Sequence, residues 1–196
     1  MLTLLTSPVT DSGPEHASDR VSNHVSDRDL ISQFLIVGSG SAAGGDLAAG
    51  PTVAQAVADW QLPSVKSLVV QSLTPTCVSE MAKSDYVIFV GACGDQSCAR
   101  TVQLDPIVES TRLPSSYPTC AHSYGPWELL HLTREIYDRV PQAWQLQIPT
   151  EHFDVGAPLS STTQRGCDRA TRTIETFLQT YQRPVFASQY TSNLSA

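Results

Sequence analysis

Three short apolar runs, each followed by an amphipathic stretch, constrain the fold of this chain more than any other feature. The runs are FLIV at 34–37, VKSLVV at 65–70 and YVIFV at 86–90. The first and third are apolar throughout, as expected for strands that are covered on both faces of a sheet. Strands that alternate with helices favour a mostly parallel sheet. We therefore predict a three-layer α/β fold with a mostly parallel, twisted sheet of about five strands and helices on both faces.

The remaining elements follow from the same periodicity. Helices are predicted to begin at Gly50-Pro51 and at Thr74-Pro75, because proline suits the first turn of a helix. A strand at 101–108 is placed at a sheet edge, since Asp105-Pro106 interrupts it. Further elements are a helix at 127–140, a strand at 143–148 and a helix at 162–181. Side chains predicted to be buried in the last two helices are Leu129, Leu132, Ile136, Val140, Cys167, Ala170, Ile174, Phe177, Leu178 and Tyr181.

Length and net charge limit the possible domain organisation and the possible binding partners. The 196 residues, 41% of them hydrophobic, fit one domain, which we place at 33–182, between a disordered polar extension (1–32) and a flexible tail (183–196). The formal net charge of −7 argues against nucleic-acid or anionic-membrane binding. No apolar run reaches the ~20 residues of a membrane span, and the first residues lack the pattern of a secretory signal. We predict a cytoplasmic protein.

Five cysteines occupy positions 77, 93, 98, 120 and 167. Their odd number, in a chain predicted to be cytosolic, makes paired disulfides an unfavoured arrangement. Free thiols and metal ligands both remain open for these side chains.

Three segments follow predicted strands and should meet where ligands bind in open α/β sheets, at the carboxyl ends of the strands. They are the glycine-rich turn after Val37, the segment GACGDQSCAR at 91–100, and the loop TCAHSYGP at 119–126. The turn lacks the third glycine of a dinucleotide fingerprint, because Ala43 stands there. No Gly-Lys-Ser/Thr is present for a Walker loop. A phosphate-binding motif is therefore not indicated.

Six stretches in register make this sequence similar to the hydrogenase maturation proteases. They are VGSGSAAGGDLAAGP (37–51), QSLTP (71–75), DYVIFVGA (85–92), AHSYGPWELLHL (121–132), VPQAWQLQIP (140–149) and FDVGAPLS (153–160). The resemblance implies an endopeptidase that removes the C-terminal peptide of a nickel-iron hydrogenase large-subunit precursor. The implied partner is that precursor, bound transiently by a monomer. The implied cofactor is nickel held by the substrate and recognised by two carboxylates and a histidine of the protease.

Two of the three implied metal-ligand positions have lost their carboxylate. Leu47 stands at the first position, with Asp46 in the place of the acid before it, and Gly91 stands at the second. The third ligand is retained as His122. A leucine and a glycine have no side-chain donor for a divalent ion.

Three hypotheses follow. In the first, a shift of one residue in the glycine-rich turn brings Asp46 into the first position, where it acts with His122 as a catalytic and metal-binding residue. In the second, the site is rebuilt from some of Cys93, Asp95, Cys120 and His122, because thiolate and imidazole ligands suit zinc or nickel. In the third, the chain is a catalytically inactive homologue without a cofactor, which binds a hydrogenase subunit or another partner.

A small-ligand binding module is the alternative from a different class. Backbone N–H groups and the helix dipole at the start of the first helix could hold an anion. The carboxylate of Asp46 opposes that reading, and the turn contains no Lys or Arg.

Overall fold

The computed structural model describes residues 31–93, 101–108 and 124–182. The predicted N-terminal extension up to residue 30, the predicted tail from residue 183, and part of the loop before the third helix lie outside these ranges. The predicted domain boundaries therefore stay predictions.

A five-stranded sheet forms the centre of the domain, with the strand order β2-β1-β3-β5-β4. Strands β2, β1, β3 and β5 run parallel, whereas β4 pairs antiparallel with β5 at one edge. The strands are β1 (Phe34–Ser39), β2 (Val65–Val70), β3 (Tyr86–Cys93), β4 (Gln103–Pro106) and β5 (Gln142–Pro149). The predicted mostly parallel sheet of about five strands is confirmed, and the edge position of β4 agrees with its Asp-Pro dipeptide.

Helices cover both faces of the sheet. They are α1 (Ala49–Ala58), α2 (Val78–Met81), α3 (Pro126–Tyr137) and α4 (Ser161–Tyr181), with short 3-10 turns at Gly45–Ala48 and Pro75–Cys77. Helices α1 and α4 pack on one face, and α2 and α3 on the other. None of the helices in the described part of the chain has the length and hydropathy that a membrane span requires.

Strand side chains alternate between the two layers, which explains why the strands are apolar throughout. In β1, Phe34 and Ile36 face the α1 and α4 layer, whereas Leu35 and Val37 face the α2 and α3 layer. All four are buried. Apolar burial contributes roughly 25 cal/mol per Å², so strands covered on both faces contribute strongly to the stability of the domain.

Helix α4 is anchored by an aromatic cluster. Phe177 contacts Trp144 with ring centroids 4.7 Å apart and Tyr181 at 4.4 Å, and it also meets Phe34 edge to face. The predicted burial of this helix is confirmed at all its named positions except Tyr181, which is partly exposed.

The predicted apolar stripe of α3 is wrong in its second half. Ile136 is 59% exposed and Val140 is 45% exposed. The helix ends at Tyr137, where Asp138 adopts a left-handed conformation with φ of 51°, so Val140 is not helical. The buried residues of α3 lie in its first two turns, at Leu129, Leu130 and Thr133.

The strand order creates a switch point between β1 and β3. The chain leaves β1 towards β2 on one side and then crosses back to place β3 on the other side of β1. The two crossovers use α1 and α2, which lie on opposite faces. In open α/β sheets this arrangement opens a crevice at the carboxyl ends of the two strands, where ligands bind.

Candidate functional site

The glycine-rich turn after β1 lines this crevice, and its glycines permit a close approach to α1. A Cβ added at Gly38 would lie 2.3 Å from the carbonyl oxygen of Gly50. Gly40 has a φ of 143° and Gly45 a φ of 54°, which L side chains rarely adopt. The turn therefore needs glycine for packing and for chain reversal, with no phosphate required to explain it.

Asp46 lies in this turn with no exposed surface. Its Oδ2 accepts hydrogen bonds from the backbone N–H of Glu151 at 2.8 Å and of His152 at 3.1 Å. The hydroxyl of Ser160 also donates to Oδ2, at 2.8 Å, and the backbone N–H of Ser160 donates to Oδ1 at 2.7 Å. Oδ2 thus accepts three hydrogen bonds and Oδ1 accepts one, so both oxygens of the carboxylate have partners within the protein.

The hydrogen bonds control the charge of this buried group. Burial by itself raises the pKa of Asp46, because it disfavours the charged form. The bonds from Glu151, Ser160 and His152 favour the carboxylate and outweigh burial, so the pKa lies well below its ordinary value. Asp46 is therefore ionised at neutral pH.

The buried position of Asp46 differs from the position that a catalytic and metal-binding residue would need. The hypothesis of a one-residue shift needs an aspartate that faces the crevice with a free oxygen. Instead, Asp46 stays buried and joins the turn to the segment 150–160, while Leu47 is 37% exposed in the next position. We interpret Asp46 as a structural carboxylate, since it is fully buried and both of its oxygens bond to the segment that it holds.

The second position of the implied ligand set lies near the end of β3. Gly91 is the register neighbour of Gln147 in β5. Among the described residues, an added Cβ at Gly91 would meet only the hydroxyl oxygen of Ser39, at 3.5 Å. With respect to residues 31–93, 101–108 and 124–182, a side chain at this position would have space, and its nearest polar neighbour there is an uncharged hydroxyl.

Cys93 ends β3, is 8% exposed and is disulfide-bonded. The expectation that the cysteines form no disulfide is therefore wrong at this residue, whereas Cys77 and Cys167 are free and buried. A sulfur in a disulfide is not a thiolate and cannot act as the metal ligand of the rebuilt-site hypothesis.

The other candidates of that hypothesis, Asp95, Cys120 and His122, lie outside the described residues. Whether they converge with the end of β3 stays a prediction. Within residues 31–93, 101–108 and 124–182, no group of three His, Cys, Asp or Glu side chains is placed to hold a metal ion. Leu47 and Gly91, the two described positions of the implied ligand set, supply no side-chain donor for a metal.

Sequence reasoning missed the segment 150–160 as a partner of the turn. The backbone N–H of Gly156 donates to the carbonyl of Ala43 at 2.7 Å, next to the bonds that Asp46 accepts. Ser160 is also the N-cap of α4, where its hydroxyl accepts from the N–H of Thr163. A serine just before an amphipathic helix is a known start signal and could have marked this position, although not its contact with Asp46.

The anion-binding alternative gains no support from the turn. The charged carboxylate of Asp46 lies in the 3-10 turn that leads into α1, so it repels an anion at that helix start. No Lys or Arg lies within the turn.

The fold is similar to that of several solved hydrogenase maturation proteases. A [NiFe] hydrogenase maturation protease HycI from Thermococcus kodakarensis KOD1 superposes with a TM-score of 0.62 at 19% identity, covering 78% of this chain and 97% of the other. The hydrogenase maturating endopeptidase HybD from E. coli gives 0.59 at 18% identity, covering 76% and 93%. The [NiFe] hydrogenase maturation protease HybD from Thermococcus kodakarensis gives 0.55 at 17%, covering 74% and 98%.

No protein-family model matches this sequence, and no curated protein matches it. Identities below 20% establish the shared fold and leave the reaction open. The predicted α/β fold, similar to that of the hydrogenase maturation proteases, is thereby confirmed.

Proposed function

We propose that this chain serves nickel-iron hydrogenase maturation by binding the C-terminal region of a large-subunit precursor at the carboxyl ends of β1 and β3. One observation carries the proposal. The fold is similar to that of proteins named as hydrogenase maturation proteases over nearly their whole length, 97% in the case of HycI. The six sequence stretches of the resemblance support the same process.

The family activity, nickel-dependent removal of the C-terminal peptide, is one form of this function. It requires that His122 act with groups other than the two missing carboxylates. His122 and its neighbour Cys120 lie outside the described residues, so the proposal of cleavage rests on the sequence resemblance.

A binding homologue without cleavage is the form that the described geometry favours. Asp46 is buried with both oxygens bonded to the segment 150–160, and Leu47 and Gly91 offer no carboxylate. A metal held beside a peptide bond would need charged or imidazole ligands to be recognised. We therefore favour precursor binding as the function, and place cleavage second.

Incubation of the purified chain with a nickel-loaded large-subunit precursor tests both forms. Intact mass spectrometry reads cleavage as loss of the C-terminal peptide, and calorimetry reads binding. We expect a complex of one chain with one precursor and no loss of mass. The mature subunit, which lacks the C-terminal peptide, is the control.

The results distinguish precursor cleavage from precursor binding without cleavage. Binding without cleavage supports the inactive homologue, whereas cleavage that is abolished in the His122→Ala variant supports a protease. Absence of both binding and cleavage would overturn the proposed function. The cytoplasmic location and the monomeric state are predictions that accompany the proposal.

A further inference from the structure

We propose that His152 Nδ1 and the carboxylate of Asp154 form a binding site for a divalent transition-metal ion of the nickel or zinc class. Both residues lie in the segment 150–160, which follows β5. Neither residue belongs to the ligand positions that the sequence resemblance implies. The site needs only donors of this chain, so it stands independently of the proposed function.

The main chain that carries His152 is fixed at the carboxyl ends of the strands. The hydroxyl of Thr150 donates to the carbonyl oxygen of Cys93, the last residue of β3. The backbone N–H of His152 donates to Oδ2 of Asp46, in the turn after β1, at 3.1 Å. A donor on an ordered segment loses little conformational entropy when it binds a ligand.

The imidazole of His152 contains a nitrogen atom without a hydrogen bond. Nδ1 is buried, and no atom of the described residues forms a hydrogen bond with it. A buried polar atom without a partner costs about 1–3 kcal/mol. Because a neutral imidazole nitrogen is a common metal ligand, an ion bound at Nδ1 removes that cost.

The carboxylate of Asp154 lies beside this nitrogen without bonding to it. Asp154 Oδ2 is 3.9 Å from His152 Nδ1, which is too far for a hydrogen bond. The Asp154 side chain is 82% exposed, and the His152 side chain is 39% exposed. An ion can therefore reach the two donors through local side-chain motion.

The separation of the two donor atoms is close to that of two ligands of one ion. Zinc lies about 2.0–2.2 Å from nitrogen and oxygen ligands, which puts two ligands of a tetrahedral site about 3.4 Å apart. The observed 3.9 Å must shorten by about 0.5 Å to reach that value. Rotation of the exposed Asp154 side chain is sufficient for this change.

The charge of the surroundings favours a cation at this position. Asp46, which accepts the backbone N–H of His152, is ionised at neutral pH. Glu151 is the neighbouring acid, and its carboxylate accepts a hydrogen bond from the hydroxyl of Thr162. The segment 150–160 contains no Lys or Arg that would repel a cation.

The site has two ligands from the protein and further positions that are open. Within residues 31–93, 101–108 and 124–182, no third His, Cys, Asp or Glu side chain completes a ligand set. Water or a donor group of a bound partner therefore fills the other positions, as in metal sites that keep an open position. One imidazole with one carboxylate suits nickel or zinc better than calcium or magnesium, which prefer oxygen ligands.

A second histidine–carboxylate pair provides a matched control. His131 Nδ1 lies 3.5 Å from Glu135 Oε1 across one turn of α3, and both side chains are about half exposed. The ring of His131 also stacks on Trp127, with centroids 5.5 Å apart. Since an ion at His131 relieves no buried, unpartnered nitrogen, we expect it to bind there more weakly than at His152.

Titration of the tag-free, ¹⁵N-labelled chain with Ni²⁺ tests the proposal, because this paramagnetic ion broadens the NMR signals of nearby amide groups. We expect the signals of residues 151–155 to broaden at lower Ni²⁺ concentrations than those of residues 131–135. His152→Ala and Asp154→Asn should each raise the concentration for half-maximal broadening at 151–155 about tenfold or more. His131→Ala should leave that concentration unchanged.

The outcomes that overturn the proposal are distinct from failure of the proposed function. Absence of broadening at 151–155, or equal broadening at 131–135, would show that Ni²⁺ has no built site here. Broadening that persists in both His152→Ala and Asp154→Asn would show an adventitious ion only. Circular dichroism confirms that each variant is folded, and Asp154→Asn decides the result if His152→Ala does not fold. The precursor is absent from this titration, so its result leaves precursor binding to the separate experiment.

Discussion

Ser160 donates two hydrogen bonds to Asp46, one from its backbone N–H and one from its hydroxyl, across 114 residues of sequence. The contact fastens the start of α4 to the turn after β1. Because both residues are buried, the bonds form where water does not compete. The geometry of the crevice therefore depends on one carboxylate that itself faces away from solvent.

The first prediction concerns the stability that Asp46 provides. We expect Asp46→Asn to lower the free energy of unfolding by about 2–4 kcal/mol, because an amide cannot accept four hydrogen bonds and leaves buried N–H groups unpaired. Urea denaturation followed by circular dichroism measures the change.

Asp105→Asn is the control, because Asp105 is exposed in β4. Its effect should stay within about 0.5 kcal/mol. Equal stability of wild type and Asp46→Asn would contradict the structural role of Asp46.

The second prediction concerns the pH dependence of stability. The folded-state pKa of Asp46 is lower than its unfolded value, mainly because hydrogen bonds outweigh burial. Its contribution is therefore fully present above the unfolded pKa of roughly 3.9, and is lost as pH falls towards the folded pKa.

We expect the stability difference between wild type and Asp46→Asn to be constant near neutral pH and to shrink below about pH 4. Denaturation at a series of pH values measures it. The pKa of Glu80 is also lowered, by Lys66 and Lys83, but both proteins share that shift and it cancels in the difference. A difference that grows on acidification would refute the assignment.

The third prediction compares two glycines at the crevice. Gly38→Ala should destabilise the fold by about 3 kcal/mol or more, because the new Cβ would lie 2.3 Å from the carbonyl oxygen of Gly50 and 2.5 Å from Cβ of Ala54. Gly91→Ala should change stability by less than about 1 kcal/mol, because its nearest described neighbour is 3.5 Å away. Thermal unfolding of the two variants is the measurement, and a severely destabilised Gly91→Ala would show that the space is filled.

The fourth prediction concerns the reactivity of Cys167. Burial raises the pKa of this thiol to about 11, with smaller effects of the charges on Asp168 and Asp46. At pH 8 roughly one molecule in a thousand then carries the reactive thiolate. Iodoacetamide labelling followed by peptide mass spectrometry should leave Cys167 unmodified in the folded protein and modify it fully in urea. Rapid labelling of the folded chain would contradict its buried position between α4 and α1.

Much of the fold could be predicted from the sequence. The strand at 65–70 has the predicted bounds, and the start of α4 differs from its prediction by one residue. Both predictions rest on local periodicity, because the spacing of apolar residues along a short segment distinguishes a helix from a strand. The predicted burial of Ile136 in α3 was wrong, because apolar residues can keep a helical spacing beyond the part of the helix that packs on the core.

The candidate site could be predicted only in part. The sequence by itself determined that Leu47 and Gly91 lack carboxylates and that a glycine-rich turn follows the first strand. Only the tertiary structure decided that Asp46 is enclosed by a segment more than a hundred residues away, and that Cys93 is in a disulfide. The physical reason is that a side chain's type is local, whereas its solvation and its hydrogen-bond partners depend on segments that folding brings together.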